Sequence, residues 1–220
     1  MVRSELKTKA KKAISGKIGN IFLVMLVMFA VFLVISLVLN FVAGLIFGST
    51  NSTNQGAAMT GSIVAMVLYW VALIFIAGGF MLSCAAIFLN VASKKPEVSD
   101  LKFGFEGDNK KRGVFGYIRY MIFTSLWSLL FVVPGIIKQF AYSQMFYLMA
   151  DDKKLTAAEA QKKSIAMMDG HKGEYFVLQL SFIPWVLLTS ITFGLAGIYV
   201  LPYMSATYAE FYKGLKKAAK

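Results

Sequence analysis

IFLVMLVMFAVFLVISLVLNFVAGLIF, from Ile21 to Phe47, contains no charged residue. It exceeds the roughly 20 apolar residues that carry a helix across a bilayer. It also exceeds the roughly 7–15 residues of a signal-peptide core, and no convincing small-residue cleavage site follows it, so it reads as a retained span. A second such run extends from about Ser62 to Val91. The polar, uncharged stretch Gly48–Gly56 between them reads as a loop, and its Asn51-Ser52-Thr53 fits a glycosylation sequon.

Outward from this pair, the composition follows the same logic. Of 220 residues 58% are hydrophobic and only 15% charged, and the charges cluster between long apolar stretches. An ion in hydrocarbon is costly and is pushed to the ends of a span. The net charge of +12 therefore reads as attraction to anionic headgroups. Nucleic acid is not expected, since no nucleic-acid module is recognisable. With one cysteine, Cys84, and one histidine, His171, neither a metal site nor a cofactor is expected.

The remaining chain divides by pattern. Val2, Leu6, Ala10, Ile14 and Ile18 recur every four positions among lysines. This predicts a basic amphipathic helix lying in the membrane interface, its apolar face in the acyl boundary. A third span is expected from about Val114 to Val133, closed by the turn pair Pro134-Gly135. Ile136–Ala150, short and carrying Lys138, Gln139 and Gln144, reads either as a fourth span or as a re-entrant helix. Thr156 and Glu159 fit a capping box, which starts a helix that runs to about Met168 and is closed by Gly170. The last apolar region is divided after Thr192 into spans Tyr175–Ile191 and Leu195–Tyr212.

Charge sets the topology. All but Lys138 of the 23 Lys and Arg fall on one side if there are six spans, and the positive-inside rule makes that side cytoplasmic. The expected architecture is all-α: one polytopic transmembrane bundle over 1–220, six spans in three hairpins, both termini inside. Its parts are a basic amphipathic helix at 1–19, a first hairpin at 21–92, a cytoplasmic loop at 93–113 and a second hairpin at 114–150. A cytoplasmic interfacial helix at 151–174 precedes the third hairpin and basic tail at 175–220. The connection from Ser93 is expected to be irregular, because of its glycines and Pro96.

No carboxylate interrupts the apolar cores, which argues against proton coupling. Arg119 and Glu210, near cytoplasmic ends, read as snorkelling or locally paired groups. Polar residues cluster late, and Lys138, Gln139, Tyr142, Gln144, His171, Lys172, Gln179 and Tyr203 form the candidate polar surface. Broken helices with polar faces line binding sites in transporters. Lys7, Lys9, Lys11, Lys12, Lys17, Lys110, Lys111 and Arg112 are the candidate contacts to anionic lipid. Gly44/Gly48 and Gly79/Ser83 have the spacing that lets helices approach closely, within a hairpin or in a homodimer, the former preferred. His171, flanked by Asp169 and Glu174, has no nucleophile or metal partner and reads as a helix cap.

The segments Glu5-Leu-Lys7, Gly16-Lys-Ile-Gly19, Pro134-Gly-Ile-Ile-Lys138, Tyr142-Ser143, Ala150-Asp151, Ser164, Met168, Gly170-His-Lys172, Leu180-Ser-Phe182, Pro202-Tyr203 and Phe211-Tyr212 resemble domain-of-unknown-function family 975. Ile183-Pro184-Trp185 departs from its pattern, where a glycine is expected before the tryptophan. The resemblance implies a bacterial cytoplasmic-membrane protein and no known reaction. Without clustered catalytic groups, the chain reads as a non-enzymatic component that binds lipid or a membrane protein. A facilitator or transport accessory using the last three helices is the alternative, and a lipid-modifying enzyme is a distant third.

Overall fold

The computed structural model describes residues 2–47 and 55–218, and every regular element among them is helical. The expected loop and sequon at 48–54 lie outside the described residues. Ten α-helices follow in order: α1 Arg3–Ile14, α2 Ile18–Phe47, α3 Gln55–Asn90, α4 Gly107–Leu130, α5 Val132–Tyr142, α6 Met145–Asp151, α7 Ala157–Met167, α8 Lys172–Leu180, α9 Ile183–Ile191 and α10 Gly197–Ala218. A 3-10 helix, Val98–Phe105, bridges α3 and α4.

Three stretches are long and apolar enough to cross a membrane: Ile18–Val42, Met66–Asn90 and Lys172–Ile191. The first is barely covered by protein, with Phe29 63%, Leu37 62% and Phe41 67% exposed. Apolar surface of this extent needs a non-aqueous partner.

Helices α3 and α4 meet at glycines. A Cβ on Gly78 would sit 2.6 Å from the Gly113 carbonyl oxygen, and one on Gly113 would sit 2.8 Å from that of Gly78. Next to Gly78 and one turn further along α3, Gly79 and Ser83 seat the 3-10 helix. Ser83 Oγ donates to the Leu101 carbonyl at 2.7 Å and accepts the Gly104 N–H at 2.8 Å. The Gly79/Ser83 pair thus serves packing within the chain, whereas Gly44 faces open space.

The connection after Ser93 is more regular than expected. Glu97 and Asp100 form a reciprocal cap for the 3-10 helix, and α4 begins at Gly107, seven residues before the expected Val114. The turn that ends α4 also moves. Phe131 is extended (φ −157°, ψ 141°), while Pro134 lies in the first turn of α5. Proline is tolerated there because those amides have no intrahelical partner anyway. Gly135 packs against Ser128, where a Cβ would come within 2.6 Å of its hydroxyl.

Two later runs are kinked rather than continuous. Ser143 and Gln144 separate α5 from α6 but keep right-handed dihedrals, as Ser181 and Phe182 do between α8 and α9. Each serine turns its hydroxyl back on the preceding turn, Ser143 to the Phe140 carbonyl at 2.7 Å and Ser181 to that of Leu178 at 2.5 Å. Such back-bonding competes with the helical ladder and bends it. The break after Thr192 falls where expected, with Gly194 at φ +90°.

The N-terminal helix corrects an expectation. Leu6, Ala10 and Ile14 are buried, but in a protein core with Phe211, Leu215 and Phe182 instead of in acyl chains, and Val2 is left exposed. Spacing reveals that a helix has one apolar face; whether lipid or α10 covers that face depends on tertiary packing.

Candidate functional site

Two sites gather the chemistry of this chain: a charged end, where helices begin and stop, and a polar pocket between α3, α4, α5, α6 and α8.

At the charged end, basic side chains close helices. The last carbonyls of a helix lack intrahelical donors and carry its partial negative charge, so cations are favoured there. Lys17 donates to the Val91 and Ala92 carbonyls at 2.5 and 3.1 Å, at the end of α3. Arg112 donates to the carbonyls of Met149, Asp152 and Leu155 at 2.9, 2.8 and 3.0 Å, around the end of α6. Lys7 donates to the Ser181 carbonyl at 3.2 Å and lies 4.5 Å from the centre of the Phe182 ring. Asp151 accepts from the Tyr212 hydroxyl at 2.7 Å and from Lys216, tying α6 to α10. Partial burial works to raise the Asp151 pKa, but these two donors outweigh it and leave the carboxyl below its usual range.

Of the expected lipid contacts, Lys7, Lys17 and Arg112 are therefore engaged inside the fold. Lys11 lies 5.6 Å from the Tyr203 ring centre and Lys110 lies 5.2 Å from that of Phe75. Lys9, Lys12 and Lys111 are exposed. Arg119, expected to snorkel or pair with an acid, instead hydrogen-bonds the buried Gln161 of α7 and lies 4.8 Å from the Phe123 ring centre. Glu210 does pair locally, with Lys213 at 2.7 Å.

The polar pocket has a volume of about 190 Å³ and brings together Gln139, Tyr142, Ser143 and Gln179 with Tyr120 and Tyr175. It opens at the α5–α6 kink. The Tyr175 hydroxyl lies beside the side chains of Gln179 and Ser143. Gln144, at the kink itself, is fully buried: its amide nitrogen donates to Ser143 Oγ at 2.7 Å, and its backbone N–H to Ser164 Oγ at 3.2 Å. Ser164 Oγ in turn donates to the Ala141 carbonyl at 2.6 Å, so α7 holds the kink open from beneath. The Gln144 Oε1 is buried and meets no donor among the described residues. Among the described residues the lining offers neutral hydrogen-bond donors and acceptors and no carboxylate. It can orient an uncharged polar group but has no strong base with which to take a proton.

The structure separates the other candidates from this pocket. Tyr203 is 2% exposed in the core against Phe182 and Trp185. Lys138 lies 4.6 Å from the Trp127 ring centre. His171 occupies the N-cap position of α8 without capping it; its Nδ1 lies 3.2 Å from Glu174, while Lys172 lies 3.6 Å from Asp169. Tyr175 and Tyr120 were missed as site residues. Tyr175 stands four positions before Gln179, on the same helical face, and that spacing was the available signal.

The fold and site thus define an all-helical chain with three helices apolar enough to span a membrane and an uncharged polar pocket beside a helix break. Residues 117–219 match the model of a family described as a protein of unknown function, DUF975, which bears out the resemblance over α5–α10 and most of α4. No curated protein and no solved structure matches the chain.

Proposed function

We propose that this chain is a non-enzymatic component of the bacterial cytoplasmic membrane that holds anionic lipid through its charged end. The observation that carries this reading is the convergence of basic segments distant in sequence. Lys17 at the end of α3, Arg112 at the end of α6 and Lys216 on Asp151 draw the N-terminal helix, the 92–112 connection, α6 and the end of α10 together. Each lysine or arginine near an anionic leaflet contributes about 1 kcal/mol of attraction, so a gathered set outweighs scattered ones.

Six crossings in three hairpins fit this placement: α2 with α3, α4 with the kinked α5–α6, and the kinked α8–α9 with α10. Val132 to Ala150 and Tyr175 to Ile191 rise about 28 and 25 Å at 1.5 Å per residue, close to the roughly 30 Å thickness of the hydrocarbon core. Phe131 and Phe193, at the tips of the second and third hairpins, are exposed and apolar, as residues at the far interface would be. Both termini then face the cytoplasm.

The test is retention of lipid by the detergent-purified chain in native mass spectrometry, offering phosphatidylglycerol and phosphatidylcholine in equal amounts. Preferential retention of phosphatidylglycerol that weakens with salt supports the reading; equal retention of the two rejects it.

The polar pocket favours a second reading, a facilitator for small uncharged polar solutes. It predicts flux in proteoliposomes that Gln139→Leu or Gln179→Leu abolishes. Absence of flux across sugars, polyols, amides and urea would remove it.

A further inference from the structure

The outer face of α4 carries a groove that the charged-end reading does not use. It has a volume of about 480 Å³, within the range of small-molecule sites, and runs between α4 and the start of α7. Phe115, Ile118, Ile122 and Phe123 form its apolar wall, and among the described residues Lys111, Arg112 and Arg119 are its charged lining.

We infer that this groove is a specific site for one anionic phospholipid, its phosphate at Lys111 and one acyl chain along α4. The inference rests on the lipid reading above and locates it. Three observations lead to this occupant. First, the charge is one-signed: Lys111 and Arg112 stand at one end, and Arg119, partway along the wall, is turned to Gln161 and to the face of Phe123. Arg112 and Arg119 spend donors on backbone carbonyls and on Gln161, so they contribute field, while Lys111 is exposed and free to donate to a phosphate oxygen. Second, Glu159 of α7 does not line the groove, and its carboxylate is occupied by Thr156. Its carboxylate accepts from the Thr156 N–H at 2.9 Å and from the Thr156 hydroxyl at 2.8 Å. Third, the apolar wall continues past the groove. Phe115, Ile122, Leu126, Leu129 and Leu130 are all more than half exposed and follow one stripe of α4. The groove's share of it, Phe115 to Phe123, rises about 12 Å, and the stripe runs on to Leu130, about 22 Å from Phe115. One leaflet contributes about half of the 30 Å hydrocarbon thickness. A cationic end followed by an apolar groove no longer than one leaflet, its one interior cation engaged by Gln161, matches an amphiphile with one charged head better than a soluble anion or a second copy of the chain.

The experiment is native mass spectrometry of the full chain with phosphatidylglycerol or phosphatidylcholine. It compares the wild type with Lys111→Gln, Ile118→Trp, and Lys102→Gln as an exposed charge-matched control outside the groove. Lys111→Gln alters only an exposed side chain, so its result does not depend on whether Ile118→Trp folds. Expected is about a tenfold loss of bound phosphatidylglycerol in Lys111→Gln and in Ile118→Trp, with Lys102→Gln unchanged. If phosphatidylglycerol is still preferred and all variants keep it equally, the groove is not the site, although the charged-end reading survives. If the wild type shows no preference, both fail. If the groove variants instead convert a dimer to a monomer at constant lipid, the groove is an interface between copies and the inference is overturned.

Discussion

Arg112 donates to the Met149 carbonyl at 2.9 Å, joining the first turns of α4 to the end of α6 across 37 positions of sequence. The same guanidinium holds the Asp152 and Leu155 carbonyls and the Asn109 side chain. A planar fork serves several acceptors at once, whereas an ammonium cannot match that geometry. Arg112→Lys should therefore destabilise the chain nearly as much as Arg112→Ala, which is expected to cost about 3 kcal/mol, because hydrogen bonds to charged groups contribute about 1.5–3 kcal/mol each and bonds in one network are not additive. Thermal unfolding in detergent measures both; a lysine variant as stable as the wild type would refute the role.

The α3–α4 crossing leaves no room for a methyl group. Gly113→Ala would place a Cβ 2.8 Å from the Gly78 carbonyl oxygen, a backbone atom that cannot swing aside. Overpacking of this kind costs about 1–3 kcal/mol. Gly19→Ala, which meets nothing within 4 Å, is the matched control. Equal melting temperatures for the two variants would show that the close approach is not needed.

Acid sensitivity should track the tie between α6 and α10. The Asp151 carboxyl lies below its usual range, so its contribution is present above the unfolded-state value of about 3.9. In the window below that value the unfolded chain binds the proton first, and the contribution fades as pH falls through the folded-state pKa. Asp151→Asn should lower the melting temperature at pH 7, and the gap to the wild type should narrow progressively below about pH 4. A gap independent of pH would mean that the charge of Asp151 has no part in the tie.

The capping box at α7 makes a smaller prediction. Glu159 N–H donates to Thr156 Oγ1 at 3.3 Å while the Glu159 carboxylate takes the Thr156 N–H. Those Thr156 donors hold the Glu159 carboxyl below its usual range. Thr156→Ala should cost about 1 kcal/mol, and Thr156→Ser much less, by chemical or thermal denaturation.

Topology is checked with single cysteines in a Cys84→Ala background. An impermeant thiol reagent applied to intact cells should spare Ala158→Cys on α7 and label Phe193→Cys at the tip of the last hairpin. Labelling at position 158 would invert or reduce the crossings. Protection at position 193 would leave the last hairpin ending within the bilayer.

Local chemistry was legible from the sequence wherever it acts over one turn of chain. The long apolar runs of α2 and α3, the Thr156–Glu159 box, the close at Gly170 (φ +73°) and the break before Gly194 are each set by neighbouring residues, through propensity, capping or a backbone angle that glycine adopts freely. The polar candidates were legible as residue types: Gln139, Tyr142 and Gln179 do share a pocket. Their grouping was not, since Tyr203, equally polar, belongs to the aromatic core.

What the sequence determined by itself, then, was the all-helical class, the apolar stretches and those ends that a capping box or a glycine marks, because hydrophobic length and capping are properties of contiguous chain. Only the tertiary structure decided that α10 covers the apolar face of the first helix, that Lys17 and Arg112 close helices distant in sequence, and that a kink at Ser143 opens beside Tyr175. Each of these depends on which surfaces meet. A periodic pattern shows that a face needs a partner, and a lysine shows that a charge needs an acceptor. The partner and the acceptor are fixed only when helices far apart in sequence pack together and leave particular carbonyls and apolar faces within reach.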